Sequence, residues 1–248
     1  MLKKQRYIIP LFAVSVLIII VILSIRRFST PIHGLFSRFE RITIRSPRTE
    51  NIKPGNIWGI DLSHHQRQID WHRLTTKQKP DFIFLKATEG SSHIDSRYTH
   101  YRQQARNHRI PVGAYHFFSY TSPGLAQAKH FIQTAQLQPG DLLPVLDVEY
   151  RNKMNRKQWI HDEIAAFCRE IKKEYGVDPI IYCECAYYQQ YLSRDFTDFH
   201  YWISDLRRQP RCNYLIWQYT ANGLVEGIGP IDNSRLRDGA TLTDLQLP

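Results

Sequence analysis

Cysteine is scarce in this chain of 248 residues, which has only Cys168, Cys183, Cys185 and Cys212. A zinc site built from cysteines needs two pairs at suitable spacing, and Cys183 and Cys185 have no such second pair. These two would flank one strand residue and share a face, which is a poor geometry for a disulfide between them. Four cysteines allow three pairings, and the sequence does not choose among them. We expect buried free thiols rather than disulfides.

Net positive charge is small outside the N-terminal segment, although the whole chain has a formal charge of +10. Ten Lys or Arg against two Glu give residues 1–55 a charge of +8, which leaves +2 for residues 56–248. A nearly neutral domain is not typical of a nucleic-acid-binding protein, and we expect no nucleic-acid partner. A basic segment beside a membrane span more simply attracts anionic head groups or an anionic wall polymer.

The chain has no internal repeat or low-complexity tract, and its one long uncharged apolar run is residues 7–25. As a helix this run would be about 28 Å long, close to the hydrocarbon thickness of a bilayer. No small-residue cleavage site follows it, so we expect a retained transmembrane signal anchor. The predicted organisation is a basic N-terminus (1–6), the anchor (7–25), a basic linker (26–55) and one catalytic domain (56–248).

Residues 56–248 alternate between short apolar runs and amphipathic segments. Five strand–helix units are predicted first, and Asp70 is placed as the N-cap of the first helix. Three strands without helices follow, at 201–205, 214–220 and 224–232. Eight strands are enough to close a barrel. The predicted fold class is therefore α/β, an irregular (β/α) barrel of about five βα units followed by three strands that lack helices.

Carboxylates and aromatic rings are predicted to converge where the strands of this barrel end. Asp147 and Glu149 lie two positions apart at the end of the strand predicted at 142–150, so both point to one face. Two like charges this close raise the pKa of at least one carboxyl, as a general acid requires. Aromatic rings beside carboxylates are typical of a carbohydrate cleft. The other candidates are Asp61, Asp232, Tyr115, Tyr182, Trp202 and Gln218.

Five sequence blocks resemble glycoside hydrolase family 25, the lysozyme-type muramidases. They are GIDLSHHQ at 59–66 with IDW at 69–71, KATEG at 86–90, GAYHF at 113–117, PVLDVE at 144–149 and WQYT at 217–220. They come in the family's order across about residues 56–238. The chain departs from the pattern at Arg67, where the family usually has Gly, and at Ser234, where it usually has Asn.

The resemblance implies an N-acetylmuramidase that cuts the β-1,4 bond between N-acetylmuramic acid and N-acetylglucosamine in peptidoglycan. Glu149 would be the general acid/base, and Asp147 would position the acetamido group of the substrate or the intermediate that it forms. Asp61 and Asp232 would complete the acidic floor. The route, through an enzyme nucleophile or the substrate's own N-acetyl group, is left open. No cofactor is expected.

Other interpretations of the same residues stay open. Lys86 and Glu89 are interpreted as an ion pair at the barrel rim. His64, His65 and His116 suggest a metal site, but no spaced third ligand accompanies them, so we expect none. The rival functions are a catalytically inactive cell-wall binding protein and a barrel glycosidase acting on chitin-like polymers.

The orientation of the anchor is in conflict. Three basic residues precede the span and five follow it closely. The positive-inside rule would therefore keep the domain in the cytoplasm. We nevertheless expect a single-pass protein with the catalytic domain outside, because the implied peptidoglycan substrate lies there.

Overall fold

The computed structural model describes residues 56–149 and 157–248. The predicted anchor and linker lie outside these residues, as does Tyr150. Within the two described ranges, no helix is long and apolar enough to cross a membrane. The strands are β1 (Trp58–Leu62), β2 (Phe82–Glu89), β3 (His93–Ile94), β4 (Val112–Phe117), β5 (Val145–Asp147), β6 (Ile180–Glu184), β7 (Tyr201–Ser204), β8 (Ile216–Val225) and β9 (Gly229–Leu236).

The strands form one closed barrel. Their order is β1-β9-β8-β7-β6-β5-β4-β2, and β2 pairs back with β1 to close the ring of eight. Seven of these strands run parallel, while β9 is antiparallel to both β8 and β1. The short β3 adds to the end of β2 as an antiparallel partner. The predicted barrel is confirmed.

Helices follow the first five parallel strands, as predicted. They are α1 (Trp71–Lys77), α2 (Tyr98–Asn107), α3 (Gly124–Ala135), α4 (Lys157–Tyr175) and α5 (Cys185–Tyr187), which continues as a π-helical turn (Tyr188–Leu192). The Asp70 carboxylate accepts a hydrogen bond from the Arg73 N–H at 2.9 Å, which confirms the predicted cap of α1. In the described residues no helix separates β7, β8 and β9.

The last two strands differ from the prediction in their bounds and direction. Segments 214–220 and 224–232 were expected to be two successive strands, but β8 runs on to Val225 and β9 returns beside it as a hairpin. Gly227 adopts φ +85°, which lets the chain reverse. The Gly227 carbonyl accepts a hydrogen bond from the Asp70 N–H at 2.9 Å, so the tip of the hairpin rests on the start of α1. Asp232 therefore lies near the middle of β9 and does not end a parallel strand.

Apolar side chains from strands and helices fill the barrel and the layer around it. Ile60, Phe84, Leu146 and Ile181 from four different strands are fully buried. Outside the barrel, α3 packs against α4 so closely that a Cβ at Gly124 would overlap the Glu163 carbonyl oxygen. Burial of this apolar surface is the main source of stability for a domain of this size.

The expectation of four free thiols was wrong for two of the cysteines. Cys185 at the start of α5 forms a disulfide with Cys212 in the β7–β8 loop, and their Cα atoms are 6.3 Å apart. Cys168 and Cys183 are free and buried, as expected. The parallel strands β6 and β7 are neighbours, which brings Cys185 and Cys212 close together. The spacing of the cysteines along the chain does not predict this pairing.

Candidate active site

All eight candidate site residues line a single cavity of about 230 Å³. It opens at the end of the barrel where the parallel strands terminate, and the antiparallel β9 reaches the same end with its first half. The structure therefore brings the predicted set together. The residues are Asp61, Tyr115, Asp147, Glu149, Tyr182, Trp202, Gln218 and Asp232.

Strand alternation places both acids of the central pair in this cavity. Asp147 and Glu149 line it, whereas Val148 between them is fully buried in the core. The Val148 N–H donates to the Tyr182 carbonyl at 2.9 Å, which holds the chain against β6 just beyond the last residue of β5. The carboxyl groups of Asp147 and Glu149, two positions apart in this extended segment, therefore both line the cavity.

The Gln218 side chain bridges two further carboxylates. Its amide nitrogen lies 3.4 Å from Asp61 Oδ2 and 3.3 Å from Asp232 Oδ2, and it donates toward both. Its amide oxygen accepts a hydrogen bond from the Tyr182 hydroxyl at 2.8 Å. These contacts join β1, β6, β8 and β9, and they set the position of both acids from one neutral side chain.

Burial and mutual repulsion change the pKa values of these acids. Burial is the main cause that raises the pKa of Asp61 well above its ordinary value, and the charges of Asp232 and Glu149 add to the rise. Burial and the charge of Glu149 raise the pKa of Asp232 to about 6. Clustered carboxylates with raised pKa values are a feature of catalytic sites, because a folded protein seldom keeps such groups for stability.

Aromatic residues form one wall of the cavity. The rings of Tyr182 and Trp202 meet edge to face with centroids 5.2 Å apart. The Trp202 indole N–H donates to Ser234 Oγ at 3.0 Å, and Trp202 is only 2% exposed. Burial raises the pKa of Tyr115 and of Tyr182, so both phenols stay protonated and able to donate hydrogen bonds. Trp202 thus combines barrel packing with a place in the aromatic wall of the cavity.

Several residues at the rim were not predicted as site residues. Lys86 and Phe117 line the cavity, and Lys86 pairs with Glu89 at 2.6 Å, as the ion-pair interpretation expected. The Lys86 ammonium also lies 4.7 Å from the centroid of the Phe117 ring. Phe117 stands two positions after Tyr115 on β4, so the alternation of strand faces was the signal that could have found it. The remaining rim residues are Ser63, His65, Gln66 and Val145.

Two of the histidines that suggested a metal site, His64 and His116, make ordinary side-chain hydrogen bonds. His116 is fully buried between Thr88 Oγ1, at 2.7 Å from Nδ1, and Gln127 Oε1, at 3.0 Å from Nε2. Burial lowers the pKa of His116 to about 4, so its ring is neutral. His64 pairs with the buried Asp95 at 2.7 Å. In the part of the chain that the structure describes, no group of three His, Cys, Asp or Glu could hold a metal ion.

The family model of glycosyl hydrolases family 25 matches residues 60–228, which include every one of these cavity residues except Asp232. The chain belongs to this family. Membership of glycosyl hydrolases family 25 makes the chain a glycoside hydrolase, and the carboxylate-lined cavity is the place in the fold where such chemistry can occur.

Several known proteins resemble the chain over most of its length. It is 34% identical over 185 residues to "Uncharacterized protein YegX" of Escherichia coli (strain K12), which is 71% of this chain and 68% of that protein. It is 28% identical over 233 residues to "Lysozyme M1" of Streptomyces globisporus, 84% of this chain and 78% of that protein. A family 25 glycosyl hydrolase from Bacillus anthracis superposes with a TM-score of 0.70 at 29% identity, covering 76% of this chain and 91% of that structure.

The two departures from the family 25 pattern have identifiable structural settings. Arg67 adopts φ +52°, a region that favours the glycine usual at this position, and its carbonyl accepts the Tyr101 hydroxyl at 2.8 Å. Ser234 is the residue that accepts the Trp202 indole N–H. Neither departure removes a carboxylate from the cavity.

Proposed function

We propose that the chain is an N-acetylmuramidase that hydrolyses the β-1,4 bond between N-acetylmuramic acid and N-acetylglucosamine in peptidoglycan. The single observation that carries the proposal is the convergence of Asp61, Asp147, Glu149 and Asp232 in one cavity of a family 25 barrel. Glycoside hydrolysis needs one carboxylic acid to protonate the leaving oxygen and a second group to stabilise the developing positive charge on the sugar.

Glu149 is proposed as the general acid/base. In the first step it donates its proton to the glycosidic oxygen, so that the leaving sugar departs as an alcohol, and it later takes a proton from the attacking water. Asp147, on the same strand face, is proposed to hold and polarise the acetamido group of the substrate, or the intermediate that it forms. Proton donation and charge stabilisation then come from two residues that lie two positions apart at the end of β5.

Asp61 and Asp232 are proposed to form the acidic floor. Their raised pKa values mean that, near neutral pH, the pair holds more protons than two ordinary carboxyls would. The group can therefore donate hydrogen bonds to sugar hydroxyls while keeping negative charge near the oxocarbenium-like transition state. Gln218 is hydrogen-bonded to both acids and to Tyr182. It is proposed to hold Asp61 and Asp232 in a fixed position relative to the aromatic wall.

Tyr115, Tyr182 and Trp202 are proposed as substrate-binding residues. Sugar rings present apolar C–H faces that pack on aromatic surfaces, and the protonated Tyr115 phenol supplies a donor for a ring oxygen or hydroxyl. Tyr115 and Tyr182 are half-buried, and both line the cavity.

We also propose that the chain is anchored in a membrane through residues 7–25, with the catalytic domain outside the cytoplasm. The apolar run, the extracytoplasmic position of peptidoglycan and the disulfide Cys185–Cys212 support this proposal, since disulfides persist in oxidising compartments. A C-terminal reporter that is active only outside the cytoplasm tests the orientation. If a reporter that is active only in the cytoplasm gives a signal instead, the result contradicts both the export of the catalytic domain and its access to peptidoglycan.

The catalytic proposal is tested with the full-length chain in detergent and purified peptidoglycan. The wild type should release fragments with muramic acid at the new reducing end, and Glu149→Gln should lower the rate by about 10²–10⁴, because it keeps the shape but removes the proton. Exposed Glu174, near the C-terminal end of α4, provides the matched control, and Glu174→Gln should retain full activity.

Each other outcome overturns a named part of the proposal. Absence of release by the wild type would favour a wall-binding protein without turnover. Glucosamine reducing ends or cleavage of chitin would favour the other class of barrel glycosidase. Full activity of Glu149→Gln would remove Glu149 from the role of proton donor.

A further inference from the structure

A second cleft opens beside the catalytic cavity, at the ends of β6 and β7. Its volume is about 640 Å³, larger than the catalytic cavity, and Glu184, Cys185, Ser204 and Asp205 contribute to its lining. Ser204 on β7 pairs with Gln218 on β8, and Gln218 lines the catalytic cavity. Along β7, Ser204 is two residues, about 7 Å, beyond Trp202. The second cleft therefore adjoins the cavity in which the glycan is proposed to bind.

One side of this cleft is the segment 205–212, here called the arginine loop, which contains Arg207, Arg208 and Arg211. All three arginines are exposed. Among the residues that the structure describes, no carboxylate lies within ion-pair distance of Arg207 or Arg208. Leu206, next to them, is 53% exposed and is one of few large apolar side chains on the described surface.

The arginine loop is held in a defined conformation. Asp205 Oδ1 accepts the backbone N–H groups of Arg207 at 3.0 Å and Arg208 at 3.3 Å, which fixes the turn that carries both. The Asp205 carbonyl accepts the Trp217 indole N–H at 2.8 Å. The disulfide between Cys212 and Cys185 ties the far end of the loop to α5. Because the turn is fixed, the backbone that carries the two guanidinium groups loses little entropy when they bind a ligand.

The charged side chains around the cleft are suited to bind a peptide that carries both carboxylates and an amine. Guanidinium groups bind carboxylates through paired hydrogen bonds. Across the cleft, exposed Glu184 has no ion pair among the described residues and can accept an ammonium group. Exposed Leu206 offers contact to small aliphatic side chains. The peptide stems attached to muramic acid combine free carboxylates, a diamino acid and alanines.

We propose that the arginine loop and its cleft form a subsite for the zwitterionic peptide stem of peptidoglycan, beside the glycan-cleaving cavity. This inference rests on the proposed muramidase function and adds a second determinant of the substrate. The enzyme would then act faster on glycan that carries stems than on bare glycan, because stem binding adds favourable contacts at a preformed surface.

The test compares Arg207→Gln/Arg208→Gln with the wild type on two substrates freed of phosphate polymers: peptidoglycan with intact stems, and the same glycan with stems removed by an amidase. On stem-bearing glycan the double variant should lose about fivefold in kcat/KM, mostly through KM, as expected for two exposed ion pairs. On bare glycan it should equal the wild type. Arg207→Lys/Arg208→Lys keeps both charges but not the paired hydrogen bonds, so it should recover only part of the loss.

Controls separate this inference from the proposed function. Arg169→Gln/Lys77→Gln removes the same charge from exposed positions on α4 and α1 and should match the wild type on both substrates. An equal loss on bare glycan, or no loss on either substrate, overturns the stem subsite while the muramidase activity stands. A loss that appears only on glycan still carrying phosphate polymers also overturns it, since the ligand is then phosphate. Failure of the wild type to cleave bare and stem-bearing glycan alike refutes the proposed function itself.

Discussion

Replacing Asp232 by asparagine removes a negative charge from the cavity while keeping the shape of the side chain and an oxygen that can accept from Gln218. In the folded protein, burial and the charge of Glu149 raise the pKa of Asp232 from 3.8 to about 6. The folded state therefore holds this proton more tightly than the unfolded state. The free energy of unfolding must therefore fall as the pH rises from about 4 to about 6. Above this range the full destabilisation by the charged Asp232 is present.

The magnitude follows from the pKa change. At 1.36 kcal/mol per pH unit, the rise from 3.8 to about 6 sets an upper limit of about 3 kcal/mol. Asp232 is partly open to solvent and shares its titration with Asp61, and screening reduces the expected gain to about 1–2 kcal/mol. In a domain of this size that is a rise in Tm of roughly 2–8 °C at pH 8. At pH 4 the gain should nearly vanish, because the folded carboxyl is already neutral.

Thermal unfolding at pH 4 and pH 8, followed by calorimetry or circular dichroism, measures this difference. The same asparagine variant should lose muramidase activity, so that stability and turnover change in opposite directions. Asp238→Asn, an exposed carboxylate outside the cavity, controls for the loss of one charge. If Asp232→Asn instead lowers Tm at pH 8 as much as at pH 4, the carboxylate is stabilised by its surroundings and the reasoning is refuted.

Three other substitutions test the supports of the site. Ser234→Ala leaves the buried indole N–H of Trp202 without its acceptor, which should cost about 1–3 kcal/mol in urea unfolding and reduce kcat/KM. Cys185→Ser removes the disulfide with Cys212, which lies 27 residues further along the chain. It should lower the free energy of unfolding by about 3–4 kcal/mol under non-reducing conditions. Gly124→Ala forces a Cβ into the backbone of α4 and should destabilise the domain by at least about 1–3 kcal/mol, read from the urea midpoint.

Each of these substitutions has a matched control. Ser193→Ala removes a hydroxyl that is bonded to the nearby Gln189 carbonyl and should leave kcat/KM unchanged. Adding a reductant should lower the stability of the wild type toward that of Cys185→Ser and leave the variant itself unaffected. Gly140 has no atom within 4 Å of an added Cβ but adopts φ +88°, so Gly140→Ala reports the cost of backbone strain without a clash. Equal effects at Gly124 and Gly140 would contradict the close packing of α3 on α4.

Local patterns in the chain were sufficient for most of the barrel and the centre of its site. The cap of α1 at Asp70 and the five strand–helix units follow from residue chemistry within a few positions. The shared face of Asp147 and Glu149 needs only the two-residue repeat of a strand, and both line the cavity. The strand at 142–150 was predicted too long, since β5 has ladder pairing only at Val145–Asp147, because apolar character does not distinguish strand from buried connection.

Features that depend on closure of the barrel were decided by the tertiary structure alone. Asp61 and Gln218 meet across 157 positions of sequence, and only the pairing of β9 with β1 and β8 brings Asp232 to the same amide. The pairing of Cys185 with Cys212 also needs the tertiary structure, because it depends on β6 and β7 being neighbours in the barrel. The sequence determined which residues face inward on each strand, since that is local stereochemistry. Which inward residues touch depends on strand order and register, and these follow from packing the whole chain around one core.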